Sequence, residues 1–133
     1  MRMITGIAAA AIISIGVSCA DSQDTQITKA LEQMKSITAK SSSRTAAMNI
    51  LIGIGKPAVP RLLKELKNND AKVIRSYMCV TLGKIGDKSA TDAVRESLKD
   101  EEPEVRAAAC EGISELIGEE AIPELIEMFK DVH

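Results

Sequence analysis

Apolar positions return along this chain at helical intervals. Ile74, Tyr77, Met78, Thr81, Leu82 and Ile85 fall at i, i+3, i+4, i+7, i+8 and i+11. Val105, Ala108, Ala109, Gly112, Ile113 and Leu116 repeat those offsets at a spacing of 31. Such spacing places each set on one face of a helix. Start signals precede both stripes: Asp70 before the first, and Asp100, Glu101 and Glu102 ahead of Pro103 before the second. Short acceptor side chains, early acids and a first-turn proline all favour helix initiation. Gly86 and Gly118 are expected to end the two helices.

A shorter stripe follows each of these. Ala90, Ala93, Val94, Ser97 and Leu98 form one; Ala121, Ile122, Leu125, Ile126 and Phe129 form the other. Earlier in the chain, Arg44, Met48, Leu51 and Ile54 anticipate Arg75, Cys79, Leu82 and Ile85 at the same spacing of 31. From Gly55, "GKPAVPRLLKEL" matches "GEEAIPELIEMF" from Gly118 at a spacing of 63, two periods plus one residue. Ile27, Ala30, Leu31, Met34 and Ile37 predict one unpaired leading helix. The organisation is therefore a leading helix over 21–40 and three helical pairs over 41–69, 70–100 and 101–133. A lone pair cannot bury both faces of its helices, whereas stacked pairs can, and about three repeats make a stable array. The predicted fold class is all-α: an α-solenoid of helical hairpins. Composition agrees. With one Phe, one Tyr and no Trp in 133 residues, Ala, Ile, Leu and Val must do the burying, which suits thin helix-on-helix layers.

The segment 1–20 reads differently. Arg2 precedes a mostly apolar run from Met3 to Val17, and small residues follow at Ser18, Cys19 and Ala20. This is the pattern of a secretory signal, too short for a spanning helix of about 20 apolar residues. Two processing readings stand. Ser18 and Ala20 suit a signal peptidase and give a start at Asp21. Alternatively, Cys19 is a lipoprotein cysteine, with Gly16 where a Leu is usual. An Asp21 start leaves 16 basic and 19 acidic residues, net −3. The expected location is the periplasm or cell envelope, with a membrane tether through Cys19 in the second reading.

The stretches "DAKVIRSYMCVTLGKIGDKSATDAVRESLKD" and "EEPEVRAAACEGISELIGEEAIPELIEMFKD" resemble HEAT repeats of the short, bacterial, phycobilisome-lyase-like type. That type shows an acid, Val-Arg, small apolar residues, then Gly-Asp before a second helix. The likeness covers roughly residues 41–131. It departs at the first repeat, where no Asp follows Gly55, and at the last, which has Gly118-Glu119. The resemblance implies the fold. For function it is broad, because such arrays serve as scaffolds, lyase subunits and structural modules.

Arg44, Arg75 and Arg106 recur at the repeat spacing. They are expected to form a ladder along one side, each guanidinium bonding an acid or carbonyl at a repeat junction, near Asp70 or Glu101 for example. Cys79 and Cys110 hold equivalent places on adjacent helices. Packed helices lie about 8–10 Å apart, and a disulfide needs Cα atoms within about 7 Å, so both are expected as small buried residues. The only His is His133, and no CxxC or HxxE spacing exists; no metal site, cofactor or catalytic residue is assigned. For a bilin-lyase activity the resemblance supplies a scaffold but no reactive group, leaving a lyase-like accessory subunit as the enzymatic alternative.

Charge is graded along the sequence. Lys29 to Asn69 carries eight basic and two acidic residues, net +6. Asp70 to Asp100 carries six and five, net +1. Glu101 to His133 carries two and ten, net −8. In a solenoid, sequence position maps onto distance along the axis, so the two ends should differ in charge. A basic end without aromatic residues argues against nucleic acid. The expected function is a non-catalytic, exported binding module for a protein partner. It would use a ridge of second helices: Arg61, Lys64 and Glu65; Asp92, Arg95 and Glu96; Glu124 and Glu127. Head-to-tail self-association, as in a self-assembling envelope protein, is the structural alternative.

Overall fold

A computed structural model describes residues 19–36 and 38–130. The segment up to Ser18, with most of the expected signal, and Ile37 of the first stripe lie outside the described residues. Every regular element within them is helical: α1 (Cys19–Lys35), α2 (Ser41–Ile54), α3 (Val59–Asn68), α4 (Lys72–Ile85), α5 (Thr91–Glu96), α6 (Pro103–Ile117) and α7 (Ile122–Lys130). Short 3-10 turns lead into α3, α5 and α7. The fold is an all-α solenoid of helical hairpins. The pairs α2/α3, α4/α5 and α6/α7 follow one another, their first helices stacked α2–α4–α6, and α1 packs on α2. The backbone is already helical at Cys19, ahead of the expected Asp21 start.

The core runs through all the layers. Leu31 and Met34 of α1, Leu51 of α2, Leu62 of α3, Met78 and Leu82 of α4, Val94 of α5 and Ile113 of α6 are fully buried. Each such side chain contributes about 1.5–3 kcal/mol relative to exposure. One expected stripe is different. Of Ala121, Ile122, Leu125, Ile126 and Phe129, only Ala121 is buried. The pattern reads as core because its counterparts in the earlier hairpins are core. Those are covered by the hairpin that follows, and no hairpin follows α7 within the described residues.

The bends explain the spacing of 63. Gly55 (φ 76, ψ −137) and Gly118 (φ 60, ψ −133) adopt nearly the same conformation, one essentially reserved for glycine. Gly86 instead ends α4 as a left-handed cap (φ 77, ψ 16). Its bend is one residue longer, and in it the Asp87 carboxylate accepts the Ser89 N–H at 3.0 Å. The Gly-Asp pair missing from the outer repeats thus belongs to the longer bend.

One start signal acts otherwise than the sequence suggests, and one acts as suggested. The Asn69 side chain, and not that of Asp70, accepts the Ala71 N–H ahead of α4, at 2.9 Å. Asp100 serves α6 by accepting the Glu102 N–H at 3.0 Å. The expected interhelical spacing also fails at one joint. A Cβ on Gly112 would lie 2.6 Å from the Cys79 carbonyl, and one on Gly83 would lie 2.6 Å from the Gly112 Cα. The backbones of α4 and α6 therefore touch. One period earlier, at the same register, the α2–α4 joint carries Ile52 and Thr81.

Candidate functional site

The three arginines of the ladder occupy the first turn of α2, α4 and α6. Arg75 Nη1 donates to the carbonyls of Asn69 (3.2 Å) and Asp70 (2.7 Å). Arg106 Nη1 donates to those of Asp100 (2.7 Å) and Glu101 (3.0 Å), at the same offsets. Arg44 reaches farther back, from Nε to the Met34 carbonyl and from Nη2 to that of Ser36, both at 3.1 Å. Each guanidinium thus ties the start of its helix to the turn before it.

Arg75 also grips the last residue of its own repeat, where the next one begins. Its Nε and Nη2 donate to the two carboxylate oxygens of Asp100, each at 2.9 Å. Only 12% and 14% of these side chains is exposed, so the pair is sheltered from screening in a way the other ion pairs are not. The Arg75 hydrogen bonds hold the Asp100 carboxyl below the usual carboxylate range, and Asp100 in turn raises the guanidinium.

The ridge of second helices is assembled, but most of its charges are engaged in ion pairs, half of them with neighbouring elements. Arg61 meets Asp24 of α1 at 3.2 Å, and Glu65 meets Lys35 of α1 at 3.0 Å. Arg95 bridges Glu124 of α7 at 2.8 Å and Asp92 of its own helix at 3.1 Å. Glu127 pairs with Lys130 at 3.4 Å. Among the described residues Lys64 and Glu96 have no ion pair. Of the two pairs made with α1, sequence reading names Arg61 and Glu65 and misses Asp24 and Lys35. Both stand far from Arg61 and Glu65 along the chain, where no local signal links them.

Between α3 and α5 runs an open groove of about 530 Å³, lined by Leu63, Leu66 and Lys67 on one side and Asp92, Ala93, Glu96 and Ser97 on the other, with Arg75 and Asp100 also contributing. It brings the Arg75 ladder position together with Asp92 and Glu96 of the ridge.

Neither described thiol is placed for chemistry. Both are free. Cys79 is buried, and that burial pushes its thiol up to about 11, against the pull of a hydrogen bond with Ser97. Cys110 is half-buried and also raised by burial. A thiol is nucleophilic as its thiolate, so Cys79 is unreactive near neutral pH. Among the described residues no group of three or more His, Cys, Asp or Glu could hold a metal ion, and no helix is long and apolar enough to cross a membrane. The side chain of Cys19, the lipidation candidate, lies outside the described part of the molecule.

Stacked hairpins, a first-turn arginine ladder and glycine bends define a helical-repeat protein. The chain matches the HEAT repeat family over residues 59–133 and belongs to it. No curated protein matches the chain.

Proposed function

We propose that this protein is a non-catalytic scaffold that binds another protein, exported to the periplasm or cell envelope. HEAT repeats are generally protein-interaction scaffolds, and membership of that family supports the first half of the reading. The observation that carries it is the array itself. Three successive second helices, α3, α5 and α7, carry exposed charges at one equivalent position, Lys64, Glu96 and Glu127, with a groove between the first two. The leader pattern over 1–20 supports export.

The test is a pull-down from envelope extract with the immobilised chain, eluted by salt. Recovery of a specific, salt-sensitive protein is expected; recovery of none would sink the reading. Intact-mass analysis of the cell-derived protein tests location. An Asp21 start or an acylated Cys19 supports export, and an unprocessed Met1 start refutes it.

A further inference from the structure

The first and third hairpins carry the same apolar register on their second helices, and the second shares its last position, yet they do not hide it equally. Leu66 of α3 is 7% exposed and Leu98, just after α5, is 4% exposed; Phe129, at their position in α7, is 61% exposed. Ile122 is 51% exposed, whereas its counterpart Val59 is 3% exposed. Ile126 is 51% exposed as well. Ile122, Ile126 and Phe129 fall at i, i+4 and i+7, so they form one stripe along α7. Half-buried Leu125 and Met128 anchor the helix beneath it. The other end of the described array is finished differently. There α1 buries Ile27, Ala30, Leu31 and Met34 and turns Gln26, Lys29, Glu32 and Gln33 to solvent. The array is closed with polar residues at α1 and left apolar at α7.

The rim of that stripe is acidic. Glu119 and Glu120 closely precede Ile122. Both are exposed, and neither has an ion pair among the described residues. The segment from Glu101 to His133 carries two basic and ten acidic side chains.

We propose that the open face of α7 docks an amphipathic helix of a partner protein, apolar along one side and rich in Lys or Arg on its flanks. This rests on the scaffold reading and supplies its partner's chemistry. The register of α7 is the one that α3 packs against neighbouring helices through Val59, Leu63 and Leu66, so a helix is the shape it complements. The charge selects the occupant. A second copy joined end to end through α7 would bring net −8 against net −8. A copy joined head to tail would offer the polar side of α1 to Phe129. An anionic lipid surface would be repelled by the rim. A basic helix satisfies both the stripe and the carboxylates.

The probe is a synthetic Leu/Lys peptide of roughly five helical turns, with leucines at i, i+3, i+4 and i+7 and lysines elsewhere, titrated calorimetrically into the full chain. One-to-one binding is expected, at least about tenfold tighter than for a scrambled peptide of equal composition or a Leu/Glu peptide. The double variant Ile126→Ser/Phe129→Ser, at positions already exposed, should keep its melting temperature and lose at least about tenfold in affinity. Glu119→Lys/Glu120→Lys should lose affinity without touching the stripe. Equal binding of the scrambled peptide, or an unaffected serine variant, overturns the proposal. So does a dimer broken by the serine variant, which would make the occupant a second copy. Vesicle binding lost in that variant would make it a bilayer and overturns the proposal equally. Failure here is distinguishable from failure of the scaffold reading: a natural partner retained in full by the serine variant removes this face and leaves the scaffold.

Discussion

Asp100 receives Arg75 through both carboxylate oxygens at 2.9 Å, at the boundary between two repeats. The same residue accepts the Glu102 N–H on its side chain and Arg106 on its carbonyl. It is the knot between the second and third hairpins. Removing Arg75 leaves a sheltered carboxylate half-satisfied; hydrogen bonds to charged groups contribute about 1.5–3 kcal/mol. By that measure Arg75→Ala should cost about 2–3 kcal/mol in urea denaturation. Arg106→Ala, which loses bonds to neutral carbonyls only, should cost about 1 kcal/mol.

Acid should loosen the same knot. The Asp100 carboxyl lies below its ordinary value chiefly through the Arg75 hydrogen bonds, and that of Asp87 through the Ser89 N–H. A depressed folded-state pKa means that the unfolded chain binds protons first as pH falls. The stabilisation is complete above about pH 4, the ordinary aspartate range, and is lost as pH drops through the folded values. Stability followed by denaturation from neutral to strongly acid solution should decline once pH passes below about 4. The gap between the natural chain and Asp100→Asn should narrow over that window; a gap that stays constant would contradict the assignment.

The glycine joint makes a paired prediction. Alanine normally gains up to about 1 kcal/mol over glycine within a helix. At Gly53 nothing lies within 4 Å of the added methyl, so Gly53→Ala should stabilise by about 0.5–1 kcal/mol. At Gly112 the methyl meets the Cys79 carbonyl at 2.6 Å and a Val94 methyl at 3.0 Å. Backbone cannot yield as a side chain can, so Gly112→Ala should destabilise by about 1–3 kcal/mol despite the propensity gain. Thermal melts of the two variants should move in opposite directions.

Equivalent positions should respond unequally to truncation. Leu66→Ala removes a buried side chain and should cost about 2–5 kcal/mol. Phe129→Ala removes an exposed one and should stay within about 0.5 kcal/mol. Chemical denaturation of the two single variants checks this directly.

Burial separates the two described thiols. Site-resolved mass spectrometry after brief alkylation of the native chain should find Cys110 modified and Cys79 protected, with Cys79 reacting only once the fold is opened by denaturant. Comparable labelling of both under native conditions would contradict the buried, raised thiol at Cys79.

Much of this architecture is legible in the residues. The stripes led by Ile74 and Val105 lie on helices that bury them, because a helical period is a local property. What the sequence hides is relational. The Asp24–Arg61 and Lys35–Glu65 pairs join residues whose proximity depends on how α1 settles on the first hairpin. The contact between Gly83 and Gly112 depends on two residues of separate helices meeting face to face, while each alone reads as an ordinary helix position. The exposure of Phe129 is hidden for the opposite reason: its local pattern equals that of Leu66, and only the absence of a covering element among the described residues tells them apart.

Because α4 and α6 meet through glycines while the equivalent positions of α2 and α4 hold Ile52 and Thr81, the two joints of the stack are not built alike. A target lying across several repeats with a uniform pitch would match one step and drift out of phase at the next. On the scaffold reading, irregular ligands, or ones short enough to engage a single layer, would suit such a stack better than regular ones.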